Sequence, residues 1–153
     1  MSIVCLMAFV LIGQEQAKDL PLDRQWQRAV EIKAEPIKLG ADRVEIVTIR
    51  LNIKPNHYVY ATPQPDETFQ RNEMNLVIKS KDPKIQVEVK YPKGVLESVG
   101  SFRWTRCEGD VSIVAAVRRP KVDDSPLECT LRFHPSENRI PMSPARAKFT
   151  LSK

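Results

Sequence analysis

Alternation with a period of two runs through most of this chain and restricts it to strands. Across residues 43–53, Val47, Ile49, Leu51 and Ile53 share one parity, with Thr48, Arg50 and Asn52 between them. Successive side chains of a strand point to opposite faces, so a run of this kind buries one face and wets the other. The pattern recurs in Val30, Ile32 and Ala34; in Tyr58 and Tyr60, set between His57, Val59 and Ala61; in Met74, Leu76 and Ile78; and in Ile85, Val87, Val89 and Tyr91. It returns in Val111, Ile113, Ala115 and Val117, then across residues 127–133 and 147–151. The joints are rich in Asp, Asn, Gly and Pro, as at Lys54-Pro55-Asn56, Lys81-Asp82-Pro83 and Tyr91-Pro92-Lys93-Gly94. These residues suit turns and interrupt a ladder. Eight or nine short strands with no long amphipathic helix predict an all-β sandwich.

A chain of 153 residues holds one such domain and its core. Its 24 basic and 19 acidic residues give a formal charge of +5, dispersed along the sequence. Nucleic-acid binding calls for a concentrated basic patch or a recognisable motif, and the chain shows neither, so no nucleic acid is expected. Residues 1–13 carry no charged side chain and are almost wholly apolar from Ile3 to Ile12, which predicts a signal-like leader and export. That run is too short to span a bilayer as a helix, so membrane contact is expected only through an uncleaved leader. Cys5 lies too early for a lipidated cysteine. Residues 14–25 are expected to be a linker, and residues 26–153 the domain.

Two cysteines remain in the body. Cys129 shares a strand parity with Leu127, Leu131 and Phe133 and is expected to be a buried thiol. Cys107 stands beside Glu108-Gly109-Asp110 and is expected to be more exposed. If residues 110–118 pair with 127–134 as a hairpin, Cys129 falls opposite Ala116, away from Cys107. The histidines His57 and His134 have no ligand-like spacing to the cysteines, so no metal and no other cofactor is expected. His134 near Ser136 invites comparison with a hydrolase, but the chain has no Gly-x-Ser-x-Gly elbow.

Four phrases in order carry a family resemblance: Asn56-His57-Tyr58-Val59-Tyr60-Ala61, Tyr91-Pro92-Lys93-Gly94, Gly109-Asp110-Val111, and residues 134–144, His-Pro-Ser-Glu-Asn-Arg-Ile-Pro-Met-Ser-Pro. Together they resemble the amino-terminal domain of the periplasmic thiol:disulfide interchange proteins of the DsbD family. The resemblance implies an immunoglobulin-like β-sandwich outside the cytoplasmic membrane. It also sets the family's two exchange cysteines at Ser136 and Pro141. Exchange between a dithiol and a disulfide needs a thiolate and a resolving thiol. Neither residue supplies one, so no catalytic residue is expected there.

What remains is surface. Residues 62–73 enclose Phe69, and residues 94–110 hold Phe102 and Trp104; aromatic residues on long connections are where a sandwich presents a binding surface. The resemblance implies that Tyr58 and Tyr60 line or support the loop 134–144, and that Phe102 lies in the segment that shields the cysteines in the family. Candidate interaction residues are therefore Tyr58, Tyr60, Phe69, Phe102, Trp104, His134, Arg139 and Met142. The favoured function is a non-catalytic, exported interaction module, with Pro135, Pro141 and Pro144 fixing the last loop. Its partner would be an envelope or periplasmic protein, of thioredoxin-like kind or a membrane redox component. The alternatives are a redox-linked protein using Cys107, Cys129 or a partner's thiol, and a purely structural envelope domain.

Overall fold

The computed structural model describes residues 22–153; the apolar leader, Cys5 and most of the expected linker lie outside the described residues. A 3-10 helix, Leu22–Arg28, leads into β1 (Val30–Ala34), β2 (Lys38–Leu39), β3 (Glu45–Ile53) and β4 (His57–Tyr60). A single helical turn, α1 (Glu67–Gln70), is followed by β5 (Asn75–Lys79), β6 (Gln86–Lys90), β7 (Val95–Val99), β8 (Phe102–Cys107) and β9 (Gly109–Arg118). The chain ends in β10 (Leu127–Phe133), β11 (Pro135–Glu137), β12 (Ile140–Pro141) and β13 (Ala145–Leu151). The excess over eight or nine strands comes largely from segments expected to be connections. Residues 94–110 fold back as the β7–β8 hairpin, and residues 134–144 contain the β11–β12 hairpin. The 3-10 helix takes in residues 22–25 of the expected linker, and Trp26, the first residue of the expected domain, sets its ring edge-on to Phe133, centroids 5.4 Å apart.

All strand pairs are antiparallel. One sheet runs β1-β3-β9-β6, with β2 also on β3; a second runs β13-β10-β5; a third runs β12-β11-β4-β8-β7. The fold is an immunoglobulin-like β-sandwich. Its core is one cluster to which every sheet contributes: Val47, Ile49, Leu51 and Ile113 from the first, Leu127, Cys129, Leu131 and Leu76 from the second, Val59 and Cys107 from the third. Strands β9 and β10 do not form the expected hairpin, because β9 is occupied on both sides by β3 and β6 while β10 lies between β13 and β5. Cys129 thus faces Phe149 and Ile78 across its ladders rather than Ala116.

Bends pass the chain between sheets. Strand β8 becomes β9 at Gly109, whose φ of +63° suits a glycine, and β10 becomes β11 at His134. Gly94 answers a different demand: a Cβ there would stand 2.5 Å from Ala61 Cβ, so the Tyr-Pro-x-Gly phrase ends in glycine to let the chain enter β7 close against Ala61 and the end of β8.

The inward parity of β3 also carries a charge. Glu45 is buried, accepting from Arg119 Nε at 2.8 Å and facing Lys153 Nζ at 2.9 Å. Arg119 donates as well to the Ser80 hydroxyl, to Asp123 and to Ser125, pinning residues 120–126 over the end of the core. Removing one partner of a buried pair strands the other charge. Arg119→Ala should therefore cost about 3–5 kcal/mol of unfolding free energy, read from the urea midpoint; a loss below about 1 kcal/mol would place the pair with surface ion pairs instead.

Candidate functional site

The third sheet has two unlike faces. Val59, Cys107 and Pro135 face inward and are buried. The intervening residues face out, and the register aligns them: Tyr58 opposite Ser136, Tyr60 opposite Arg106, Glu97 opposite Trp104, Val99 opposite Phe102. The Tyr60 N–H donates to the His134 carbonyl, which brings His134 onto this face as well. Six of the eight candidate interaction residues therefore lie together. Tyr60 and Phe69 stack at 5.9 Å; Tyr58 and His134 meet Tyr60 edge-on at 5.5 and 5.7 Å; Phe69 lies 5.7 Å from Trp104 and 6.5 Å from Phe102.

Within the cluster the residues divide by burial. Tyr58, Tyr60 and Trp104 are buried and form the floor. Phe69 covers them, while Phe102, placed by the resemblance in the shielding segment, sits at the side with 51% of its surface exposed. Residues 62–73 hold Phe69 there through Gln64, which the sequence reading passed over. Its buried side-chain amide donates to the Ala61 and Thr105 carbonyls at 2.7 Å each, and its oxygen accepts the Thr105 N–H at 2.9 Å. Asp66 caps α1 by accepting from the Thr68 N–H at 2.9 Å. Arg106, also passed over, lays its guanidinium 5.3 Å from the centre of the Tyr58 ring and reaches Glu97 and Glu108 at 2.8 Å.

The segment 134–144 is a hairpin rather than an irregular loop. Glu137 pairs with Ile140, and Asn138 and Arg139 between them both have positive φ, at 48° and 67°, as a type I′ turn requires. Arg139 is thereby lifted to the exposed tip, and Met142 lies half-buried against the main core. Ser136 and Pro141 are direct register partners. Facing residues in such a ladder stand roughly 4.5–5.5 Å apart at Cα, inside the range a disulfide spans. Neither side chain carries a sulfur.

Ser136 is fully buried beside Tyr60, and its hydroxyl makes no well-formed hydrogen bond among the described residues beyond its weak contact with the Tyr60 hydroxyl. His134, the nearest base by sequence, is committed elsewhere: Nε2 lies 2.6 Å from the Met142 carbonyl and Nδ1 2.9 Å from the Asn72 side-chain oxygen. Burial pushes the His134 pKa below its ordinary 6.5, opposed by the Met142 hydrogen bond and aided by the Arg71 charge. A neutral ring donates through Nε2 to the Met142 carbonyl, with Nδ1 facing the Asn72 side-chain amide. Burial, with the Tyr58 hydroxyl beside it, raises Tyr60 to about 12, while Ser136 pulls the other way. Among the described residues no group of three His, Cys, Asp or Glu side chains is placed to hold a metal ion.

Cys107 and Cys129 stand apart from this site, in the core. Cys107 is only 2% exposed, against the expectation of a more open thiol, because it is the last inward residue of β8 before the bend at Gly109. Burial raises both thiols to about 11, so neither is a thiolate near neutral pH.

Neither a family model nor a curated protein matches the sequence. Among solved structures, the chain is similar to the reduced amino-terminal domain of DsbD from Neisseria meningitidis, with a TM-score of 0.56 and 17% identity over 88% of this chain and 90% of that one. It is also similar to the amino-terminal periplasmic domain of ScsB from Proteus mirabilis, with a TM-score of 0.60 and 10% identity over 81% of this chain and 46% of that one. These likenesses establish a shared fold.

Two pH effects follow. The unfolded chain loses its thiol protons first above pH 9, so stability should fall between pH 9 and about 11, and Cys107→Ala/Cys129→Ala should flatten that limb; a steep alkaline limb in the double variant would assign it elsewhere. On the acid side the unfolded chain gains a proton at His134 first, so stability is fully present above pH 6.5 and declines below it. His134→Gln should reduce that decline in a melting series from pH 7 to pH 5, and an unchanged slope would remove His134 as its source.

Proposed function

We propose that residues 26–153 form a non-catalytic protein-interaction module of the DsbD amino-terminal type, working outside the cytoplasmic membrane. The observation that carries this reading is the pairing of Ser136 with Pro141 across the β11–β12 hairpin, at the two positions where the resemblance sets an exchange pair. The hairpin stands beside an aromatic floor covered by Phe69, and the sulfur that the family's exchange reaction needs is missing from both positions. A serine hydroxyl does not ionise near neutral pH and cannot enter a disulfide relay, and proline has no group to offer. An envelope location is supported by the apolar leader in the sequence and by the ScsB domain, a periplasmic domain of the same fold.

The surface left for a partner is the rim of this cluster. Phe102, Val99 and Val95 occupy the outward face beside Phe69, and Arg139 marks the hairpin tip. Exposed apolar side chains gathered on one face suit a protein partner. The redox alternative through Cys107 and Cys129 is opposed by their burial and raised pKa values.

Two measurements test the proposal. The wild-type protein should not oxidise a reduced thioredoxin-like partner, whereas Ser136→Cys/Pro141→Cys, treated with a mild oxidant, should lose its two new thiols to an intramolecular bond while Cys107 and Cys129 stay reduced. In intact cells, a photo-crosslinker at Phe102 should capture one defined envelope protein that the same group at Val77, on the second sheet, does not. Dithiol oxidation by the wild type, or equal capture at both positions, would overturn the reading.

A further inference from the structure

Strand β7 is the outermost strand of the third sheet among the described residues, with β8 on one side only. The β7–β8 hairpin turns through Gly100, at φ +60°, and Ser101, so Val99 and Phe102 close it. The closing pair of a two-residue hairpin exchanges hydrogen bonds, and bonded and non-bonded pairs then alternate along the ladder. Val95, Glu97 and Val99 thus turn their backbone groups to β8, while Leu96 and Ser98 turn N–H and C=O outward. This edge is apolar on both faces: Val95 and Val99 are 61% and 58% exposed on the outward face, and Leu96 is 57% exposed on the other.

Exposed edges are usually guarded by Lys, Arg or Pro, which resist the addition of a further strand. Each of the other outermost strands carries one of these. Lys33 lies in β1, Lys38 in β2, Lys79 in β5, Lys90 in β6, Pro141 in β12, and Arg146 and Lys148 in β13. The β7 sequence Val-Leu-Glu-Ser-Val has none.

We propose that β7 accepts an extended segment of a partner protein as an added antiparallel strand, with a basic residue of that segment opposite Glu97 and apolar residues opposite Val95, Leu96 and Val99. A row of free N–H and C=O groups is matched by another extended backbone, which is why the occupant is a strand. Charge decides which strand. A second copy of the chain, paired so that Leu96 and Ser98 both find partners, would set Glu97 against Glu97, and like charges directly opposite destabilise a sheet. Only one acidic group lies on this stretch of edge, and Arg106 holds it at 2.8 Å on the outward face, where an added lysine would complete an alternating row. The proposal rests on the interaction reading of the same sheet and adds the backbone mode and the partner's pattern.

The test uses the protein with a synthetic capped peptide, Ser-Val-Thr-Lys-Val-Val-Ser, at millimolar concentration, followed by amide hydrogen exchange. Exchange at Leu96 and Ser98 should slow by roughly tenfold or more, with little change along β6. Ser98→Pro removes one outward N–H without touching the β8 ladder and should abolish the protection. Glu97→Lys should lose the lysine peptide and gain the version with glutamate in its place. Absence of protection at Leu96 and Ser98, equal protection in a folded Ser98→Pro protein, or the same protection arising by self-association without peptide would each overturn the proposal. Continued cross-linking at Phe102 in a Ser98→Pro protein would then leave the interaction module standing without the strand-addition mode.

Discussion

The alternation of Tyr58, Val59 and Tyr60 within β4 joins the two halves of this molecule. Val59 points into the common core and is wholly buried, which fixes the register of β4 against β8 and β11. A slip of one residue would send two tyrosines into the core and a valine to the surface. Because the register is held by burial on the inner face, the outer face inherits it. Tyr58 must lie against Ser136 and Tyr60 against Arg106, and the candidate site is assembled as a consequence of core packing.

The outer face would ordinarily be wet. Here it is roofed by residues 62–73, and the roof is held by polar contacts instead of by a second sheet. Gln64 satisfies three backbone groups on β8 and near the end of β4, so the connection cannot lift without leaving buried donors and acceptors unpaired. His134 plays the matching part on the hairpin side, tying Met142 to Asn72. Phe69 lies at the centre of this roof, over Tyr60 and Trp104.

The strands were legible because alternation is a local property: the runs containing Val47, Leu76, Val87, Ile113 and Leu131 all became strands at or near the expected positions. The all-β sandwich followed from their number and from turn residues at the joints. Connections were less legible. The stretch holding Phe102 and Trp104 folds as a hairpin that alternation alone did not mark, since an edge strand with apolar residues on both faces has no clean period. The exposure of Cys107 was misjudged for a related reason, its neighbours Glu108 and Gly109 describing the bend and not the inward side chain just before it. The supposed loop at residues 134–144 is a type I′ hairpin with arginine at a left-handed position, a residue the turn statistics do not favour.

By itself the sequence determined the class of fold and the inward parity of each strong strand. These depend on residue type and on spacings of a few positions. Tertiary structure alone decided that Ser136 and Pro141 face each other, that Phe69 rather than Phe102 covers the tyrosines, that Cys107 and Cys129 are both sealed in the core, and that β7 is an unguarded edge. Each of these is a contact, or a missing contact, between segments far apart in the chain. Strand order fixes such relations, and local periodicity carries no record of which strands will lie side by side.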